Sequence, residues 1–184
     1  IYARSLDRHQ GIGQAGVCED LQAFMTRADE LAAELLAEGI RGMKIWPFDP
    51  YAARTRGQRI DLADLQAGLE PFRRIRRAVG SQMEIMVEGH GLWSLPAAKR
   101  IAQAVEEFEP LWIEDLIRPD TVGALAELRR STRTPVLASE MLMTRYEYLP
   151  LFEARAADIV MIDPAWCGGI SEARKIGQMA EAHN

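Results

Sequence analysis

The sequence predicts an α/β fold built of repeated βα units around a parallel sheet, and three observations carry that expectation. Short apolar runs alternate with longer helical patterns from one end to the other. The runs IYA, GMKIW, EIMVE, LWIED, VLASE and DIVMID lack the period-2 alternation of half-exposed strands, as strands covered on both faces should. Three of them finish on a glutamate at equal spacing, Glu88, Glu114 and Glu140 (114 − 88 = 26 and 140 − 114 = 26).

Taken in order, IYA opens the first unit and is followed by Gly11, Gly13 and Gly16, which spell GxGxxG. A dinucleotide fingerprint needs a helix opening at once and an acidic residue ending a following strand. The helix here begins only near Asp20 and no acidic residue ending a following strand stands where a ribose partner belongs, so a flexible loop is the expectation. Residues 20–38 carry Leu21, Phe24, Met25, Ala28, Leu31 and Leu35 at steps of about 3 or 4 and stop at Gly39, which predicts one amphipathic helix. GMKIW is the second strand. The stretch 47–60, with Pro47, Pro50 and Gly57, is a long loop suited to reaching over a site. Residues 61–79 form the next helix and stop at Gly80; its basic run RRIRR is expected to be a solvated face, since the same helix buries Leu69, Phe72 and Ile75. Further helices are expected near 95–107, 121–131, 145–154 and 171–183. No linker divides these six units, so residues 1–184 are expected to be one domain. Its sheet is either open and doubly wound or part of an eight-stranded barrel, and spacing alone does not decide between them.

Bulk properties narrow the function classes. A chain of 184 residues, 48% hydrophobic and 27% charged, can bury one sizeable core. Its net charge of −5 argues against nucleic-acid binding. No apolar run approaches the roughly 20 residues of a membrane span, and the first residues lack the pattern of a signal peptide, so a cytoplasmic location is expected. Cys18 and Cys167 lie far apart and make neither a metal-type pair nor a disulfide framework.

The strand-end glutamates carry the chemistry. In a (β/α) barrel successive strand ends ring the C-terminal mouth, which would bring Glu88, Glu114 and Glu140 into one small volume. Like charges held there repel unless a cation is present. Oxygen-only ligation with positions left open suits Mg²⁺, with Mn²⁺ as a substitute, rather than zinc. The other reading is that these acids are salt-bridged or cap helices where strands meet loops.

With MKIW, VEGHG, WIED, ASE and DPAWCGGISEARK in these positions, the whole chain resembles the mandelate racemase and muconate-lactonizing branch of the enolase superfamily. The resemblance implies a TIM-type (β/α) barrel, here as about six units, with an N-terminal capping domain and the last strands lying outside the chain. It implies metal ligands at the ends of strands three, four and five, hence Glu88, Glu114 and Glu140, with Glu88 where an aspartate is usual. It further implies abstraction of the proton next to a carboxylate, the resulting enediolate being stabilised by the metal.

The second-strand motif of that family is often Lys-x-Lys, the second lysine acting as base; here it reads Lys44, Ile45, Trp46. Trp46 cannot take a proton, which disfavours the racemase and lactonizing arrangement. Lys44 can orient the substrate carboxylate or help stabilise the enediolate, or alternatively pair with Glu88. Asp163 ends the sixth strand, 163 − 140 = 23 residues after Glu140, and in relatives such an aspartate pairs with a histidine of the seventh strand. His90, two residues past Glu88, resembles the general acid of the acid-sugar dehydratases, while His183 is expected only to interact with its helix C-terminus. The expectation is therefore a Mg²⁺-dependent acid-sugar dehydratase with Lys44, His90 and Asp163 as catalytic residues, a sugar-acid substrate and a homo-oligomeric complete protein. The alternatives are an epimerase, racemase or cycloisomerase of the same superfamily, and a non-catalytic metal-stabilised barrel or binding protein.

Overall fold

Runs of β-branched and aliphatic residues too short for a helix pair side by side in the computed structural model, which describes residues 20–183. They form one parallel sheet in chain order: β1 (Gly42–Ile45), β2 (Glu84–Glu88), β3 (Trp112–Glu114), β4 (Val136–Ala138) and β5 (Ile159–Val160). These are the second to sixth expected strands. The run IYA, the glycines Gly11, Gly13 and Gly16, and Cys18 lie outside the described residues. Helices occupy every gap: α1 (Asp20–Thr26) and α2 (Ala28–Ala37) before β1, α3 (Asp49–Ala52) and α4 (Leu62–Val79) before β2, then α5 (Leu95–Val105), α6 (Val122–Arg130), α7 (Thr144–Glu153) and α8 (Ile170–Ala182). Consecutive parallel strands joined through helices are the architecture of α/β sheets. Among the described residues no helix is long and apolar enough to cross a membrane.

Alternation along β2 divides the sheet into two faces. Ile85 and Val87 are fully buried and join Met43, Ile45, Phe72, Ile75 and Ile101 in the core under the helices. Phe72 stacks between Phe48 and Phe108, with ring centroids 6.2 and 5.4 Å away. Burying a ring of this size contributes about 2–3 kcal/mol. The opposite face of β2 carries Met86 and Glu88, and that of β1 carries Lys44. The apolar face builds the domain and the other builds the site.

Two expectations need correction. The single helix over 20–38 is interrupted at Arg27, where the Thr26 hydroxyl donates to the Gln22 carbonyl at 2.8 Å and competes with the backbone ladder. The basic run is not simply a solvated face. Arg73 and Arg74 do pair with Glu70, but the Arg76 guanidinium reaches over the helix end to donate to the carbonyls of Gly80, Met83, Phe108 and Glu109. It ties the end of α4 to the entry of β2 and to the turn before β3.

Candidate active site

Glu88 and Glu114 close their strands side by side, as register partners in the β2–β3 ladder. Both are buried. Lys44, on the neighbouring β1, extends its ammonium between them, 3.0 Å from Glu88 Oε2 and 2.9 Å from Glu114 Oε2. The second oxygen of Glu88 accepts the backbone N–H groups of Gly89 and His90 at 3.0 and 2.9 Å, and the Trp112 indole donates to Glu114 at 3.3 Å. Burial alone would weaken the Lys44 charge, but the two carboxylates outweigh it and hold the ammonium above its ordinary value. Burial, with the like charge of Glu88, pushes Glu114 up to about 7 even against the pull of Lys44. When both acids are ionised, two carboxylates and one ammonium leave the cluster one positive charge short.

Glu140 follows a different course. Glu114 is paired in register with Leu137, so Glu140 lies three residues beyond the level of the other two (140 − 137 = 3), in the turn after β4. Its charge acts on Asp115 and Tyr148. Among the described residues no three acidic, histidine or cysteine side chains form a ready metal cluster. Glu88 and Glu114 are brought together, and Glu140 lies beyond them in the turn that leaves β4.

His90 occupies the turn that leaves β2, with a left-handed backbone (φ 49°) fixed by its N–H on Glu88 and by the Gly91 N–H on the Asp115 carbonyl at 2.6 Å. Gly89 is required before it, because a Cβ there would lie 2.8 Å from the Leu116 backbone. The His90 ring lies edge-on to Trp46, centroids 5.9 Å apart, and its Nδ1 is 2.6 Å from Asp49 Oδ2. That hydrogen bond, ahead of the opposing effect of partial burial, raises the His90 pKa. The loop over 47–60 does reach to the site: it contains α3, delivers Asp49, and docks on the turn after β2 through Ser94 N–H to the Gly57 carbonyl at 2.9 Å.

Asp163 lies just past β5 on the surface, where one carboxylate oxygen accepts the N–H groups of Ala165 (2.7 Å) and Trp166 (3.3 Å) and so shapes the turn into α8. His183 caps its own helix through the Met179 carbonyl at 2.8 Å and stacks on Phe152. Sequence reasoning missed two acids. Asp49 is one. The other is Asp115, buried behind Glu114, which accepts the Ser139 N–H at 3.1 Å and hydroxyl at 2.5 Å; burial pushes it up to about 6 in spite of those bonds. The doubled acid of WIED was the available signal for Asp115.

A family model described as "Enolase C-terminal domain-like" matches residues 27–184, nearly the whole described chain. The chain belongs to that family. Among solved structures, an enolase protein from Sargasso Sea environmental sequence is 49% identical, with a TM-score of 0.84 over 87% of this chain and 44% of its own. An enolase of the mandelate racemase subgroup from Agrobacterium tumefaciens is 51% identical, with a TM-score of 0.82 over 85% of this chain and 43% of its own. The D-gluconate/D-galactonate dehydratase of Picrophilus torridus is 28% identical over 165 residues, 90% of this chain and 40% of that protein. The chain thus spans less than half the length of these relatives. The side-by-side carboxylates of Glu88 and Glu114 at consecutive strand ends are a donor set that suits a hard divalent cation. Glu88 and Glu114 already share one cationic group, offer only oxygen donors and remain short of positive charge.

Proposed function

We propose that the complete protein is a Mg²⁺-dependent acid-sugar dehydratase, converting a polyhydroxy carboxylate to a 2-keto-3-deoxy acid. One observation carries the reading. His90, two residues past Glu88, is held by Asp49 at 2.6 Å, while Trp46 stands where a second lysine base of the family would be. A histidine beside the acids together with an aromatic in place of the lysine favours proton delivery to a leaving hydroxyl over proton exchange between two faces. The dehydratase named among the relatives supports the same class.

Glu88, Glu114 and Glu140 would hold the ion, which when bound supplies charge stabilisation to the enediolate oxygens. Lys44 is the cationic side chain at the same point and is suited to orient the substrate carboxylate. Asp163, through a histidine partner, would take the proton next to the carboxylate, and His90 would return one to the departing hydroxyl. The test is incubation of the complete protein with a panel of aldonic acids with and without Mg²⁺. A 2-keto acid formed only with the ion supports the reading; epimers of the acids, or no turnover of any of them, overturn it.

A further inference from the structure

We infer that Asp49 is the positioning residue of His90: it pins the ring at Nδ1, so that Nε2 is the nitrogen presented to substrate. The chemical role of the pair rests on the dehydratase reading; its geometry does not.

The two residues are 41 positions apart, yet Nδ1 and Oδ2 are 2.6 Å from each other. An ionised carboxylate can only accept, so Nδ1 carries the hydrogen and the choice of tautomer is made. As a stabilising device the pair is poor. The His90 side chain is 47% exposed, and ion pairs in such surroundings contribute little. Asp49 also leaves its other oxygen, Oδ1, buried with no partner among the described residues, a burden on folding of about 1–3 kcal/mol. A carboxylate placed for its own solvation would not stand there.

The surrounding segment is organised around the ring. Trp46 lies edge-on to His90 at 82° and is itself set edge-on against Phe24, centroids 4.7 Å apart. Four residues of one segment, 46–49, thus provide a wall and an anchor for the imidazole. The backbone end is fixed independently, through the His90 N–H on Glu88 and the left-handed φ of 49°, a conformation that costs a non-glycine residue about 1–2 kcal/mol. Such outliers concentrate where geometry serves function. Both ends of one half-exposed side chain are constrained, and only Nε2 is left over.

In the elimination the ring enters as the imidazolium, with a hydrogen on each nitrogen, and the Nε2 proton moves to the departing hydroxyl oxygen as the C–O bond breaks. The bonding pair leaves with that oxygen, water is released, and the enediolate electrons form the new C=C bond. The imidazole ends neutral with its Nδ1 hydrogen still on Asp49. Without Asp49 the ring rotates and exchanges tautomers, so proton delivery to oxygen suffers while abstraction next to the carboxylate does not.

The test uses the complete protein labelled with ¹⁵N-histidine, the His90 signals being those lost in His90→Asn. The native protein is expected to show a protonated Nδ1. Asp49→Ala should shift the His90 signals toward a tautomer mixture and slow dehydration about 10- to 100-fold, with exchange of the α-proton for deuterium changed less than about twofold. Asp49→Asn, which keeps an acceptor of the same shape, should restore the Nδ1 signature and much of the rate, and serves if the alanine variant folds poorly. Unchanged His90 signals in Asp49→Ala, or equal loss of exchange and dehydration, overturn the inference. If the native protein dehydrates no sugar acid but the Asp49→Ala signals still shift, the dehydratase reading fails and the positioning by Asp49 stands.

Discussion

Glu88 stands directly across the parallel ladder from Glu114, and the two buried carboxylates share the single ammonium of Lys44. That arrangement ties three adjacent strands together at the end where they would otherwise repel.

Lys44→Met should therefore destabilise the metal-free protein by about 2–4 kcal/mol, because removing one partner leaves buried acids uncompensated. Urea unfolding in chelator measures the loss. Saturating Mg²⁺ should recover a part of it, on the order of 2–3 kcal/mol at a hundredfold excess over Kd. Equal stability of the two proteins in chelator would show that the ammonium does not hold the acids together.

Gly57 is one of the contacts through which the loop carrying Asp49 rests on the turn carrying His90, beside the Ser94 hydroxyl on the Gln58 carbonyl. Its φ is +69°, and a Cβ would fall 1.8 Å from the Leu92 carbonyl oxygen. Gly57→Ala should cost about 2 kcal/mol or more, since both the backbone and the contact must shift. The expected signature is a lower unfolding midpoint together with proteolytic cleavage near residues 53–60. A variant as stable and resistant as the parent would remove this docking from the account.

The five described strands were legible because each is a short apolar run, and two helix ends because Gly39 and Gly80 mark them. Equal spacing of the glutamates proved a weaker guide. Glu88 and Glu114 are 26 residues apart and paired, but β4 is paired with β3 at an offset of 23 (137 − 114), so Glu140 is carried three residues farther on. Loop length between strands sets sequence spacing, whereas hydrogen-bond register sets height. Asp49 was invisible for a related reason: its partner lies 41 residues away, and a carboxylate before Pro50 in a loop reads locally as a helix start. The break at Arg27 is a backbone change at one residue (φ −143°, ψ 46°), beside the Thr26 hydroxyl bond to Gln22, and side-chain periodicity does not register it.

Glu106 gives a dependence on pH away from the site. Its carboxylate accepts the Arg133 N–H and Thr132 hydroxyl, both at 2.8 Å, and the Arg133 guanidinium at 3.0 Å, fastening the end of α5 to the approach of β4. The backbone bond from Arg133, then that from Thr132, lower its pKa below the ordinary glutamate value of 4.5. A depressed carboxylate pKa contributes stability above the unfolded value, and that contribution is lost as pH falls through the folded one. Glu106→Gln should cost roughly 1 kcal/mol at pH 7, reduced from a buried case by exposure, and the gap to the parent should narrow as pH falls below the ordinary glutamate value toward the lower folded one. Denaturation at pH 7 and pH 3.5 measures it. A gap that is the same at both values would mean that the charge is irrelevant to the contact.

The last prediction separates proton removal from proton delivery in the complete enzyme. Under the dehydratase reading, Asp163 with its histidine partner generates the enediolate, and His90 acts only afterwards, on the leaving hydroxyl. His90→Asn should thus suppress dehydration by about 10²- to 10⁴-fold, the usual contribution of a general acid, while exchange of the α-proton with solvent deuterium continues. Asp163→Asn should lose both, since the aspartate holds its histidine in the basic tautomer. In the structure one Asp163 oxygen accepts the Ala165 and Trp166 N–H groups. Mg²⁺ affinity, followed by calorimetry, should survive either change, because neither residue is a strand-end glutamate. If His90→Asn abolishes exchange together with dehydration at unchanged ion affinity, His90 belongs to proton abstraction or substrate positioning, and the order of steps assigned to the two residues is wrong.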